Sequence, residues 1–202
     1  MKLLSFLLLL AFPSVAQSDE IYRLTFSDTT NFSLMNHLGY TRPNNIVILD
    51  TTQAWDYTVF WNKFVGGETP EQIESETMTS RHESYDPEYL FRDSLMIKAI
   101  SAAERKALRK KTLTFEPRRL SLKGPNYRTI PSAQNVKGLY VGTTAPVFST
   151  DGRYAFINLA IYVNDDDPYA AYWVNFGSVT IVYQKQSGGR WKKFKLVNRL
   201  IL

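Results

Sequence analysis

The last quarter of the chain, Pro146 to Leu202, constrains the fold most, because three long apolar runs alternate there with turn chemistry. In Ser149-Thr150-Asp151-Gly152-Arg153, Asp151 can bond its own backbone and Gly152 can take positive φ, which predicts a tight turn between a short strand and a long one. Beyond it, Ala155, Ile157, Leu159, Ile161 and Val163 fall on one face, and Tyr154, Phe156, Asn158, Ala160, Tyr162 and Asn164 on the other. That period of two describes a strand with one dry face and one amphipathic face. After the loop Asn164-Asp165-Asp166-Asp167-Pro168, Val179, Ile181 and Tyr183 form the core-facing set of the next strand, and Ser187-Gly188-Gly189-Arg190 the next turn. The final strand sorts Phe194, Leu196 and Leu200 from Trp191, Lys193, Lys195 and Arg199, predicting one buried side and one wet basic edge. The whole run reads as an antiparallel β-meander.

The other end of the chain has a different logic. Lys2 is followed by the apolar run Leu3 to Phe12 and then by Ser14-Val15-Ala16. An apolar run of about ten residues is too short for a bilayer, which takes about 20. A positive charge, an apolar run and a small-residue exit in that order predict a signal peptide over residues 1–16, cleaved before Gln17. Residues 17–202 are then expected to form a single exported domain, periplasmic or secreted, with no transmembrane segment after signal removal. The chain has no cysteine, which excludes disulfides, thiolate chemistry and a lipid-modified N-terminal cysteine, so packing alone must hold the fold. The net charge is +5, of which Lys2 supplies one. A modest positive balance on an exported chain points to an anionic neighbour, lipid headgroups or polyanionic glycans, and away from nucleic acid. The cations cluster at Arg105-Lys106 with Arg109-Lys110-Lys111, at Arg118-Arg119 and at Arg190 to Lys195, each of which also suits a solvated face.

In chain order, Ile21 to Phe26 reads as a strand, Phe32 to Leu38 as a short helix stopped by Gly39, and Asn45 to Leu49 as a buried strand. Asp50-Thr51-Thr52-Gln53, Thr69-Pro70-Glu71-Gln72 and Ser101-Ala102-Ala103-Glu104 each place a capping side chain three residues before Gln or Glu. They predict helices near 52–65, 70–83 and 102–111. A further helix opens at Asp86-Pro87-Glu88, while Ser94 to Ile100 suits helix or strand equally. Residues 112–135 read as a connector holding at most one strand, Thr112 to Phe115, and Gly138 to Gly142 as a short strand leading into the meander.

Chemistry-bearing motifs are sparse. The two histidines, His37 and His82, are far apart and lack zinc-ligand spacing, so neither a metal nor a cofactor is expected. His82-Glu83 beside Asp86 offers an acid/base set, with Glu83 and Asp86 as the candidate catalytic carboxylates, or simply a polar surface. Asp165-Asp166-Asp167 suits a calcium ion or a solvated turn. Asn31-Phe32-Ser33 has the glycosylation-acceptor pattern. The aromatic stretch Ala54 to Val65 either fills a core or presents a stacking platform. The candidate ligand-binding residues are therefore Trp55 and Trp61, with Tyr154 and Tyr162 on the long strand.

Pro146-x-Phe148-Ser149-x-Asp151-Gly152-x-Tyr154-Ala155, followed by Gly189-Arg190-Trp191-Lys192, resembles the closing part of uncharacterised small exported proteins of Bacteroidetes type over about a quarter of the chain. Chains of that type often carry a Gly- and Cys-containing segment after the long strand, where this one has Asn164 to Pro168. The same pattern resembles a blade motif of TolB-type β-propellers, but one copy cannot build a propeller. The sequence predicts an α+β fold: helices mainly in the first half, on an antiparallel sheet completed by the C-terminal meander. The expected function is a non-catalytic binding or interaction module with a protein or glycan partner in the envelope. The alternative is a hydrolase with a carboxylate site.

Overall fold

The computed structural model describes residues 2–38, 46–56, 59–60, 89–91, 93–114, 116–132, 138–164 and 174–200. Its strands are β1 (Ile46–Leu49), β2 (Tyr127–Ile130), β3 (Gly138–Thr143), β4 (Val147–Phe148), β5 (Tyr154–Asn164), β6 (Val174–Lys185) and β7 (Trp191–Leu200). They form one seven-stranded sheet ordered β2-β1-β3-β5-β6-β7, with β4 paired to β5. From β3 to β7 every pairing is antiparallel, whereas β1 runs parallel to both β2 and β3. The helices are α1 (Lys2–Ser27), α2 (Ser94–Ala99) and α3 (Ala102–Leu113), with 3₁₀ segments at Thr29–Leu38 and Tyr89–Phe91. All of these helices precede β2, so the fold is α+β.

The meander follows the sequence closely at its turns. Gly152 takes φ 67° and Gly189 φ 78°, both in the left-handed region that the two hairpins require. Asp151 accepts from Ser149 Oγ at 2.6 Å and from the Arg153 backbone N–H at 3.0 Å, locking the first turn. Side chains from both faces of β5 are buried. Ala155, Ile157, Leu159 and Ile161 pack with Val179, Ile181 and Tyr183 in one cluster, under residues of α1 and the first 3₁₀ segment. Tyr154 and Phe156 pack with Val182, Trp55, Phe60, Phe91, Met96 and Leu108 in another. The face expected to be amphipathic is therefore covered by a second layer.

Four local expectations are corrected. Ile21 to Phe26 is helical, part of α1: its buried residues are Ile21, Tyr22, Thr25 and Phe26, the i, i+1, i+4, i+5 stripe of a helix, and this spacing outweighs the β-branched and aromatic composition. No helix begins at Thr52. The chain from Asp50 to Asp56 stays extended because Thr52 N–H bonds to Arg118 O and Gln53 N–H to Thr143 O, while Asp50 bonds Thr51 Oγ1 and Arg119 Nε instead of capping. Thr112 and Leu113 close α3 and form no strand. The connector's strand is β2.

The fourth correction concerns β7. Val182 pairs with Lys195 but Tyr183 pairs with Lys193, which leaves Phe194 as an extra residue in a bulge. Parity inverts there. Trp191 (6% exposed) and Arg199 (7%) are buried, and no continuous basic edge forms. Lys193 reaches Asp28 at the end of α1, at 2.6 Å, while Lys195 pairs with Asp93 on the opposite face.

The third cap behaves as predicted: Ser101 Oγ accepts from the Glu104 backbone N–H at 3.2 Å. Glu104 does not reach back. Its carboxylate accepts from Thr150 N–H at 2.6 Å, and Lys111 donates to Phe148 O at 2.7 Å, so both ends of α3 are tied to the β4–β5 hairpin. Ser94 to Ala99 resolves as helix, capped by Asp93. Asn31 is fully buried, donating to Thr25 O and accepting from Lys193, so its amide is not offered to a glycosylating enzyme. The predicted helix at 70–83 and the opening Asp86-Pro87-Glu88 of the next lie outside the described residues, and Tyr89–Phe91 directly after it is a 3₁₀ turn.

Candidate functional site

The four aromatic candidates do not converge. Trp55 is 7% exposed, stacks obliquely on Phe60 with centroids 5.4 Å apart, and donates from Nε1 to Ala145 O at 2.8 Å. Tyr154 is buried against Phe194, its hydroxyl accepting from Gln184 Nε2 at 3.2 Å. Tyr162 stacks on Tyr140 at 4.9 Å and donates to Gln53 Oε1 at 3.1 Å. That Gln53 side chain lies over Gly142, where a Cβ would stand 1.9 Å from Oε1, so the glycine is required for the contact. Burial, with the Tyr162 hydroxyl beside it, pushes the Tyr140 phenol up to about 12. Trp61, His82, Glu83, Asp86 and the Asp165-Asp166-Asp167 loop lie outside the described residues, and His37 falls in the first 3₁₀ segment. Among the described residues there is no group of three or more His, Cys, Asp or Glu placed to hold a metal.

The structure instead assembles a cleft of about 990 Å³ from segments far apart in sequence. One wall is α1, contributing Ser18, Asp19, Tyr22 and Arg23. The other is the end of α3 and the connector after it, from Lys111 to Lys123. Trp55 and the Ala145-Pro146-Val147 segment also line it, with Tyr127 of β2. Of the predicted aromatics among the described residues, Trp55 lines it and Tyr154 and Tyr162 do not.

Physical reasons for this shape are local. The connector cannot fold onto the sheet as a helix because Leu120 N–H bonds to Asp50 O at 2.5 Å and Thr51 bridges to Arg119, so residues 118–120 run as an extended rim beside β1. Arg118 is fixed there through its backbone N–H to Thr52 Oγ1 at 2.8 Å. Arg119 Nε holds Asp50 Oδ2 at 3.1 Å, yet its side chain is 83% exposed. At the back, Tyr22 donates to Thr144 O at 3.4 Å, and Tyr127 to Lys123 O at 3.0 Å. Burial pushes the Tyr22 phenol well up; the nearby Arg118 opposes this and Asp19 adds to it. Burial raises Tyr127 as well. Both phenols are therefore neutral hydrogen-bonding groups at pH 7.

The lining carries five cationic side chains, Arg23, Lys111, Arg118, Arg119 and Lys123, against the carboxylates Asp19 and Glu116. Arg118-Arg119 was visible in the sequence as a charge pair, but its meeting with Arg23 and Lys123 was not, because no local pattern links α1 to a connector about a hundred residues later. Compared with protein-family models, with curated proteins and with solved structures, the chain has no match in any of the three.

Proposed function

We propose that the chain is an exported, non-catalytic binding module that holds an anionic ligand in the cleft between α1 and the connector. One observation carries this reading: five cations and two carboxylates line a concavity at the upper end of the roughly 300–1,000 Å³ typical of small-molecule sites. Clefts lined by one sign of charge raise the local concentration of the opposite sign. Export rests on the N-terminal pattern and on the resemblance of the C-terminal quarter to small exported proteins. Every cation of the lining lies beyond Ala16, so removal of a leader before Gln17 leaves them all in place. The hydrolase alternative rests on Glu83 and Asp86, and no observation among the described residues favours it.

The test is thermal unfolding with a panel of anions, from inorganic phosphate to a sulfated glycan and an anionic lipid, at low and high salt. At least one member should raise the midpoint, less so at high salt. The double variant R118E/K123E should lose that rise, while R190E/K192E, at the exposed β6–β7 turn, should keep it. Equal loss in both variants, or no rise with any member of the panel, rejects the reading.

A further inference from the structure

We infer that the ligand of this cleft is an amphiphilic anion: one long acyl chain ending in a carboxylate or a phosphate. The inference rests on the anion-binding reading above and adds the apolar half of the molecule. Charge alone does not describe the lining. Among the side chains whose burial is described, four large hydrophobic ones are exposed, Val15, Leu95, Ile97 and Leu113; Leu113 borders this cleft, while Val15 on the opposite wall would leave with a leader.

Leu120, Leu122, Val147 and Trp55 add further apolar surface to the lining. Trp55 has its one polar atom already bonded to Ala145 O, and Leu120 is buried. These surfaces offer a chain or ring contact but no hydrogen bonds, so a fully polar anion such as a sulfated sugar would leave its hydroxyls unmatched against them. The cations Arg118, Arg119 and Lys123 stand on the connector among Leu120 and Leu122, with Arg23 on the facing helix and Lys111 two residues before Leu113. An arginine fork suits a carboxylate or phosphate head. Arg119 is already oriented by Asp50 while remaining largely exposed, so its ordering cost on binding is reduced. A ligand matched to this lining therefore carries a charged group together with an apolar chain. Leu113, Leu120, Leu122, Val147 and Trp55 all lie beyond Ala16, so a leader cleaved before Gln17 takes none of them.

The experiment is calorimetric titration of the full chain with dodecyl phosphate, dodecanoate, dodecanol, inorganic phosphate and a sulfated disaccharide, the amphiphiles kept below micelle formation. Dodecyl phosphate or dodecanoate should bind at least about tenfold tighter than dodecanol, which lacks the charge, and than inorganic phosphate, which lacks the chain. Preference between the two acyl anions distinguishes a lipid headgroup from a free fatty acid as the source. Leu113→Ser, at a side chain already 61% exposed, should weaken dodecyl phosphate several-fold and leave inorganic phosphate unchanged. The double variant R118Q/K123Q should weaken both. If inorganic phosphate or the disaccharide binds as tightly as dodecyl phosphate, the amphiphile is wrong and the anion cleft stands. Dodecanol binding equally well, or no binding at all, overturns both.

Discussion

The two faces of the sheet are covered in different ways. On one face the cover is nearly contiguous: Ile21, Tyr22, Phe26, Phe32, Leu34 and Met35, from the end of α1 and the 3₁₀ segment after it, pack over Ile157, Leu159, Val179 and Ile181. On the other, Trp55, Phe60, Leu90, Phe91, Met96, Ile100 and Leu108 arrive from separate short pieces. A six-residue helix such as α2 is far too short to persist alone. The second cover is accordingly fastened by polar groups, with Asp93 capping α2 and pairing with Lys195, Arg199 pairing with Asp56 at 2.7 Å, and Glu104 and Lys111 tying α3 to the hairpin. It also buries Arg105 over the Phe91 ring at 4.9 Å, where burial lowers the guanidinium's proton affinity. The contiguous cover has polar ties as well, from Lys193 to Asp28, Thr30 and Asn31 and between Thr25 and Tyr183, gathered where α1 gives way to the 3₁₀ segment. Assembled cover needs them at each piece.

The bulge at Phe194 joins the two systems, because it sends Lys193 to one face and Lys195 to the other. Deleting Phe194 should have the largest effect. Without the extra residue one half of β7 must invert, and the loss should reach at least about 4 kcal/mol in urea unfolding, the scale of a broken core. Phe194→Leu keeps the count and should cost only about 1 kcal/mol. Equal costs for the two would show that the bulge does not separate the lysines.

A smaller pair of substitutions compares the covers directly. Phe26→Ala removes a fully buried ring from the contiguous side and should cost about 3–5 kcal/mol, destabilising the molecule as a whole. Ser101→Ala removes only the α3 cap and should cost about 1 kcal/mol, with hydrogen exchange accelerated in α3 but not in β5. Faster exchange across β5 in Ser101→Ala would mean that the second cover does not loosen by itself.

What the sequence disclosed divides along the same line. The strands and turns of the meander were legible because a period of two and two glycine turns are local signals, and Ser101-to-Glu104 was legible as a cap for the same reason. Ile21 to Phe26 carries strand-type residues at helical spacing, and the spacing decides its structure. The bulge was invisible because nothing in Lys193-Phe194-Lys195 distinguishes an extra residue from an ordinary one; only the partner strand does. The cleft was equally hidden. Arg118 and Arg119 stood out as charges, but Arg23, Tyr22 and Lys123 become neighbours only through the packing of α1 and the rim beside β1.

The smallest effect, and the sharpest test of the fasteners, is acid. Among the described residues, three carboxylates lie below their ordinary value of 3.8. For Asp28, burial opposes the shift but the bonds from Lys193 and Thr30 outweigh it; for Asp93 the Lys195 contact leads. Asp151 is lowered to about 2, first by Ser149 and then by the Arg153 N–H. Since each folded value is depressed, the stabilisation is complete above the unfolded value and is lost as pH falls through the folded one. Stability should therefore fall from about pH 4 downward on account of these groups. At pH 7, Asp28→Asn should be less stable than wild type by about 1 kcal/mol, a modest figure because its side chain is 38% exposed. That gap should close as the wild-type carboxylate protonates, and Asp93→Asn should follow the same course from the opposite face. A gap that persists unchanged as pH falls through the carboxylate range would mean that Asp28 holds the end of α1 to β7 by shape and neutral hydrogen bonds, and that its pairing with Lys193 adds no ionic fastening there.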